Sequence, residues 1–382
     1  MTIYSVIILF TFLSFLYFYK RPSNIGYNFV FVSIALVICF GYMCGSDWRA
    51  YETIYNSYSD PSLGGFWWRF LYVEPLYMCL NIIGNELHMN FWVWYIFIKL
   101  LIYIKIVQLF KRFCPREIIL LAFTFYLGFW GIMHFIDPSF RNMIAAYLFL
   151  CSIDSLLNRN FKKYLLWVFA ATLIHYSSII LILFYFILNR SYSNKSIIIL
   201  YVIASILLIK PDVIFNVLSS LFSFVPAISM KIDNYAVGNE STTLGQGKLI
   251  SVGYFIHLVF FVIIMYSRRR IEAFSYGKFL FNMSVLFVFV FRIGLTALVF
   301  SRLQLFISYF YAITVAIVIY SFAEKYRLLF ATYVCVIALL ANGGQMKNVF
   351  FTPYTNYFMY IDRNMSFEER AAYNFKNSPY KY

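Results

Sequence analysis

Charged side chains are scarce in this sequence, and the scarcity excludes an ordinary water-soluble protein. Only 12% of its 382 residues are charged, against about 25% in typical soluble domains. Hydrophobic residues make up 62% of the chain. Apolar stretches of about 15–25 residues, a length that can cross a bilayer, alternate with short polar loops along the whole sequence. We therefore expect an integral membrane protein without a sizeable soluble domain.

Motifs for metal binding and redox chemistry are also missing. The six cysteines are scattered, with no CxxC pair and no Cys/His spacing typical of a zinc site. We expect no metal, no cofactor and no disulfide. The net charge of +15 would suggest a nucleic-acid partner in a soluble protein. Here lysine and arginine cluster at the ends of the apolar stretches, where they orient a membrane protein, so we expect no nucleic-acid partner.

The predicted fold is all-α: a polytopic transmembrane helical bundle of about ten spans with one or two re-entrant segments. The expected spans are residues 3–19, 29–44, 91–110, 118–133, 140–157, 196–209, 248–265, 278–300, 303–320 and 326–341. These lie in a transmembrane domain of residues 1–341, followed by an extracytoplasmic tail of residues 342–382 with an amphipathic interfacial helix at 366–375. Segment 74–87 is apolar but too short to span, and we expect it to dip into the outer leaflet.

Segment 164–188 is long enough to cross once, yet basic residues flank it on both sides. The strongest basic cluster, at residues 268–270, places the following loop in the cytoplasm by the positive-inside rule. Counting spans back from that cluster puts both ends of segment 164–188 on the cytoplasmic side. We therefore predict a re-entrant pair of short helices that meet near His175. The alternative is a single span with one short loop that breaks the charge rule.

Ionisable side chains at membrane depth are costly and therefore mark functional candidates. The topology gathers a set of them near the outer face: Asp47, Arg49, Glu74, His134, Asp137, Arg141, Arg292 and Arg302. Arginines can bind phosphate oxygens in bidentate fashion, and a carboxylate can take a proton from a sugar hydroxyl. Tyr51 and Trp48 offer rings for a sugar. A lipid-linked diphosphosugar would use all three kinds of group at this depth.

Each of these residues also has a simpler explanation. Asp47 could be a solvated acid at a helix end, and Arg141 and Arg302 could be interfacial anchors. We expect Glu74 to be the catalytic base, because desolvation at the headgroup level would raise its pKa. Asp47 is the second choice. His175 is expected deeper, near the midplane, with no obvious polar partner.

The order and spacing of these residues resemble the Wzy-type O-antigen and capsule repeat-unit polymerases, in the EpsG-like branch. The matching motifs are Gly45-x-Asp47-x-x-x-Tyr51-x-x-x-Tyr55; Glu74-Pro75-Leu76-Tyr77 with Leu80-Asn81; Arg141-Asn142-x-Ile144-Ala145 with Phe161-Lys162-Lys163-Tyr164 and Ala170-Ala171-x-Leu173-Ile174-His175-Tyr176-Ser177-Ser178; and Arg302 with Tyr309-Phe310. Family members commonly carry an arginine just before the first motif. This chain has none there, and Arg49 could replace it from the other side.

The resemblance implies a glycosyltransferase on the outer face of the bacterial plasma membrane. It would polymerise undecaprenyl-diphosphate-linked oligosaccharide repeat units into O-antigen or capsular polysaccharide, with the bilayer and a chain-length regulator as partners. Glu74, Asp47 and His175 would be catalytic, and the substrate would contact Arg141, Arg302, Arg292, Arg49 and Tyr51. Two other classes remain open: a membrane-bound O-acyltransferase, which would use His175, and a lipid-linked oligosaccharide flippase.

Overall fold

The structure is a computed structural model that describes residues 2–58, 74–209, 220, 250–296 and 298–380; at residues 296, 298 and 299 it describes the backbone alone. The described part of the chain is helical and contains no β-strand, only an isolated antiparallel bridge between Gly41 and Asn356. Two connecting segments between the expected spans are affected: residues 59–73 and almost all of residues 210–249 lie outside the described residues. The chain divides into two compact units, Met1–Ile187 with Phe322–Tyr382 and Leu188–Ser321.

The first unit holds twelve of the helices in the described residues, together with short 3₁₀ and π segments. They are α1 Ile3–Phe18, α2 Asn24–Ile38, α3 Trp48–Ser57, α4 Pro75–Glu86, α5 Phe91–Phe113, α6 Ile119–Tyr126, α7 Ile132–Ile136, α8 Phe140–Leu157, α9 Phe161–Ile174, α10 Leu181–Ile187, α16 Glu324–Gln345 and α17 Phe367–Asn377. The second unit holds α11 Asn194–Leu207, α12 Val252–Tyr266, α13 Arg268–Glu272, α14 Gly277–Thr296 and α15 Gln304–Tyr320.

Within the described ranges, six helical segments are long and apolar enough to cross a membrane. They are Phe91–Phe113, Arg116–Ile136, Phe140–Leu157, Gly277–Leu295, Phe300–Tyr320 and Glu324–Gln345. The other four predicted spans occur as the shorter apolar helices α1, α2, α11 and α12. The all-α polytopic bundle is thus confirmed, and the protein is a multi-pass membrane protein. Side-chain caps start many helices, as where Asn90 accepts a hydrogen bond from the Val93 amide.

Segment 161–187 folds back on itself. The regular helix α9 ends at Ile174. The backbone of the next residue, His175, is extended, and a 3₁₀ turn at Tyr176–Ile180 leads into α10. The Tyr185 hydroxyl donates to the Arg159 carbonyl at 2.6 Å, although the two residues are 26 apart in sequence. The start of α9 and the end of α10 therefore lie side by side. The predicted pair of short helices meeting near His175 is confirmed, while its orientation in the membrane stays a prediction.

The predicted span at 29–44 ends earlier than expected, because helix α2 stops at Ile38. The backbone that follows pairs with the C-terminal tail: the Tyr42 amide donates to the Thr355 carbonyl at 2.9 Å, and the Gly45 amide donates to the Phe350 carbonyl at 2.8 Å. These hydrogen bonds pair backbone N–H and C=O groups that no helical hydrogen bond satisfies.

A helix does form near the predicted interfacial position, as α17, and a capping box at Ser366 and Glu369 starts it. One face of α17 rests on protein. Asn374 is fully buried, and Arg370 donates to Glu52 of helix α3 at 2.5 Å. The division at residue 341 between a membrane domain and a tail stays a prediction.

Candidate functional site

Glu74 is the centre of the candidate site. It occupies the N-cap position of α4 directly before Pro75, a favourable first residue of a helix because proline lacks the N–H that would go unpaired there. The Glu74 side chain makes no capping hydrogen bond to its own helix. It is only 5% exposed. The carboxylate is therefore buried and directed at other elements, where it needs partners.

Those partners are Arg141 and His175, and each comes from a different helix. Arg141, the second residue of α8, donates from Nη1 to Glu74 Oε2 at 2.5 Å. His175 Nδ1 lies 3.2 Å from Glu74 Oε1, at the break between α9 and its 3₁₀ turn. Both carboxylate oxygens are thus engaged. The expectation that His175 has no polar partner is wrong, because the helix break brings its ring to the Glu74 carboxylate. Its depth near the midplane stays a prediction.

The Glu74–His175 contact determines which nitrogen of His175 can take a proton. An ionised carboxylate only accepts hydrogen bonds, so Nδ1 must carry the hydrogen of a neutral ring, which leaves the lone pair on Nε2. Nε2 has no hydrogen-bond partner among the residues that the structure describes. The side chain is 14% exposed. The arrangement can therefore orient an imidazole as a general base.

The electrostatics of Glu74 differ from the sequence-based expectation. Burial raises the pKa of Glu74, but the hydrogen bond from His175 and the charge of Arg141 outweigh burial and lower the pKa to about 2. The expected rise in pKa is therefore wrong. A carboxylate that is so weakly basic and has both oxygens engaged is poorly suited to take a proton itself. It is well suited to hold two positively polarised groups in place.

Tyr51 borders this cluster. It is buried against the rings of Tyr77 and Phe140, at centroid distances of 6.3 and 5.6 Å. Burial raises the pKa of the Tyr51 hydroxyl, and the neighbouring Arg141 opposes part of that rise. Arg141 itself keeps 33% of its side chain exposed, so a ligand can reach the guanidinium. The motifs around Tyr51, Glu74, Arg141 and His175, far apart in sequence, therefore meet in one place.

Asp47 lies on a tight turn before α3. Asp137 forms that turn: its Oδ1 accepts hydrogen bonds from the amides of Ser46 at 2.8 Å and Asp47 at 3.0 Å. The Asp47 charge contributes to raising the pKa of Tyr51, so Asp47 is near the cluster. Asp137, one of the ionisable candidates near the outer face, accepts hydrogen bonds from backbone amides here. The Asp137-Pro138 pattern does not reveal this role.

Gly45 is required by the same turn. Its φ is +88°, a backbone conformation that residues with a side chain rarely adopt. A Cβ at this position would also lie 2.5 Å from Asp137 Oδ1. The glycine of the Gly45-x-Asp47 motif thus has a steric explanation.

Arg49 is held by the turn that precedes α3 and by helix α17. It donates to the carbonyls of Gly45 at 3.0 Å and Ala371 at 3.0 Å, and it stacks over the Trp48 ring at 4.9 Å. Burial lowers the pKa of Arg49. These contacts connect α3 to α17. The suggestion that Arg49 binds substrate stays a prediction, as does its replacement of the missing family arginine.

The remaining two predicted arginines belong to the second unit. Arg292, near the end of α14, is 5% exposed, and Arg302 is exposed on the 3₁₀ segment Leu298–Leu303. No group of three or more His, Cys, Asp or Glu side chains suited to a metal occurs in the described part of the chain. The Glu52–Arg370 pair was not anticipated, because Glu52 stands at an unspecified position of the first motif and Arg370 lies in the C-terminal tail, outside every motif.

Comparison with known families agrees with the placement of the motifs. The model of the EpsG family matches residues 24–359, which is most of the chain. The chain belongs to the EpsG family. No curated protein and no solved structure matches it. The match in this EpsG-family protein includes all three members of the Glu74 cluster and also the tail residues that pair with segment 40–45.

Proposed function

We propose that this EpsG-family protein is a membrane glycosyltransferase of the bacterial plasma membrane. It polymerises undecaprenyl-diphosphate-linked oligosaccharide repeat units into O-antigen or capsular polysaccharide on the outer face. The observation that carries the proposal is the buried Glu74 carboxylate that joins Arg141 and His175. A base and a phosphate-binding cation, side by side, are what glycosyl transfer from a diphosphate requires.

The proposed reaction uses each member of the cluster once. A hydroxyl of the acceptor sugar attacks the anomeric carbon of the growing glycan, and its proton passes to His175 Nε2. The bond from that carbon to the diphosphate oxygen breaks, and the lipid diphosphate leaves with the bonding electrons. Arg141 stabilises the negative charge that develops on the leaving group. Glu74 keeps His175 in the productive tautomer and stabilises the imidazolium that forms.

The Glu74–His175 pair also suits O-acyl transfer, which needs a basic histidine beside a hydroxyl acceptor. It removes the sequence-based objection that His175 lacks a polar partner. Membership of the EpsG family favours the polymerase. The two reactions leave different traces in the cell, because loss of an acyltransferase removes acyl groups from glycans whose chain length is unchanged.

The test is to replace Glu74→Gln and His175→Asn in the native strain and to resolve the glycan on a gel. Loss of proton transfer should slow polymerisation by about 10²–10⁴-fold, so each variant should show single repeats. Matched controls are Glu86→Gln, an exposed acid at the other end of α4, and His88→Asn, an exposed histidine in the left-handed conformation that asparagine accepts. A normal ladder from both site variants at wild-type abundance would refute the proposal.

A further inference from the structure

The second unit contains a groove that the proposed reaction does not use. Its volume is about 630 Å³, and it runs between α11 and α12. Apolar side chains of α11 line it from Ile198 through Val202 to Ile206, and Met265 lies on the α12 side. These residues follow one face of α11. The rise from Ile198 to Ile206 makes that face about 12 Å long.

Among the described residues that line this groove, one is charged. Arg292 of α14 is 5% exposed and stacks over the Tyr254 ring at 5.5 Å. Its Nη2 donates to the Ser205 carbonyl at 3.4 Å, near the C-terminal end of α11. Its Nε and Nη1 are buried and have no hydrogen-bond partner within the described ranges. The carbonyl therefore accounts for a single donor of the guanidinium.

A buried guanidinium with two unpaired donors is unstable unless an anion completes the site. The position of Arg292 sets the shape of that ligand. The cation is at the Ser205 end of α11, and apolar side chains occupy the remaining length of the groove. A free anion would leave the apolar surface unused, and a neutral hydrocarbon would leave the guanidinium unpaired.

We propose that this groove binds a lipid phosphate, with one hydrocarbon chain along α11 and α12 and the phosphate oxygens on Arg292. The planar guanidinium can offer Nη1 and the second N–H of Nη2, which share one edge, to two phosphate oxygens at once, a geometry that lysine does not provide. The apolar side chains of Ile198, Val202 and Ile206 along the groove are 47–60% exposed, so in a membrane protein the ligand can enter from the lipid. The site does not depend on glycosyl transfer and would bind lipid in a protein with any reaction at Glu74.

The experiment uses the purified full chain in dodecyl maltoside, a detergent without phosphate. The probe is octadecyl phosphate with a diazirine in its chain, and mass spectrometry locates the photo-adducts. Adducts are expected on α11 and α12. Unlabelled octadecyl phosphate should compete at least tenfold better than octadecanol, the ratio given by about 1.4 kcal/mol of phosphate binding. Inorganic phosphate should not compete at the same concentrations.

Two variants test the two ends of the site separately. Arg292→Gln should reduce labelling about tenfold or more. Ile206→Trp fills the groove at a side chain that is already 60% exposed, and it should block labelling while Arg292 remains. Arg269→Gln, which removes an exposed arginine of the same unit, is the matched control and should label like wild type. Equal competition by octadecanol, competition by inorganic phosphate alone, or normal labelling of both groove variants would overturn the proposal.

Discussion

The Glu74 carboxylate contacts two partners at once, and this double contact distributes the roles within the cluster. With one oxygen on Arg141 and the other on His175, the carboxylate stays ionised and acts through its neighbours. We infer that proton transfer occurs at His175 Nε2 and charge stabilisation at Arg141. Asp47 lies close enough to influence Tyr51 and remains the alternative carboxylate.

Replacing Arg141 by lysine keeps the charge but loses the planar fork that can bind Glu74 and a diphosphate together. We expect Arg141→Lys to shorten the glycan ladder severely, with a loss of roughly ten- to a hundredfold in polymer formed. Glycan length would be measured on a gel at matched membrane abundance. Arg116→Lys, at an exposed arginine of the 3₁₀ turn that precedes α6, is the control and should polymerise normally. An Arg141→Lys strain with a full ladder would reduce Arg141 to an interfacial anchor.

The depressed pKa of Glu74 predicts a definite pH dependence. A group whose pKa falls from 4.5 to about 2 on folding stabilises the folded state above pH 4.5, and this contribution is lost as the pH falls toward 2. Wild type should therefore be more heat-stable than Glu74→Gln at neutral pH, and the difference should shrink below pH 4.5. Thermal unfolding of both proteins across this range is the measurement. A difference that grows on acidification would contradict the assignment of Arg141 and His175 as the partners of Glu74.

The sequence predicted the residue types of the cluster but not their contact. Charge at membrane depth identified Glu74 and Arg141, and a histidine in an apolar run identified His175. Their meeting depends on where α9 breaks, because the break brings the His175 ring to the Glu74 carboxylate. The direction of the Glu74 pKa was wrong for the same reason, since desolvation was weighed without the two partners.

At the scale of elements, the hairpin of α9 and α10 is the feature that positions His175. Residues flanking the hairpin should therefore lie on one side of the membrane. We expect cysteines introduced at Asn158 and Ser191, both exposed, to label only after the membrane is opened. A cysteine at His88 should label in intact cells with an impermeant thiol reagent. Cys79, an exposed native cysteine, would first be replaced by alanine. Labelling of Asn158 and Ser191 from opposite sides would reject the re-entrant topology.

The turn before α3 is equally specific. Gly45→Ala places a methyl group 2.5 Å from Asp137 Oδ1 at a φ of +88°. We expect this change to destabilise the protein by about 1–3 kcal/mol and to shorten glycan chains, because α3 carries Tyr51 to the cluster. Gly343→Ala is the matched control, since its Cβ would meet nothing within 4 Å in helix α16. Unchanged thermal stability of Gly45→Ala in detergent would mean that the turn relaxes without cost.

For the molecule as a whole, hydrophobic length and basic loops predicted most helices, because lipid forces each span to satisfy its own backbone. The early end of α2 and its pairing with the tail were not predictable. Backbone hydrogen bonds between residues such as Tyr42 and Thr355 leave no periodic pattern in the sequence. The Glu52–Arg370 pair was not predictable for a similar reason, because both residues are shielded from water only by the tertiary contact between α3 and α17.

We expect the proposed polymerisation to proceed without a bound divalent metal ion. Arginine can neutralise a diphosphate leaving group in place of Mg²⁺, and no zinc-type spacing exists in the sequence. We expect purified protein to keep its polymerising activity in excess chelator. The measurement is polymer length from lipid-linked repeats with and without chelator. Loss of activity that added Mg²⁺ or Mn²⁺ restores would assign a metal to the carboxylates.

The ion pair between Glu52 and Arg370 can form only late in the synthesis of the chain. The two residues are 318 positions apart, and a ribosome that adds about 5–20 residues per second needs roughly 15–60 s to cover that interval. For that time α3 is already made while the arginine that neutralises its acid is still untranslated. A nascent chain must therefore keep Glu52 hydrated until helix α17 has been synthesised. A prematurely terminated chain would retain this unneutralised acid, and we expect membrane proteases to degrade it.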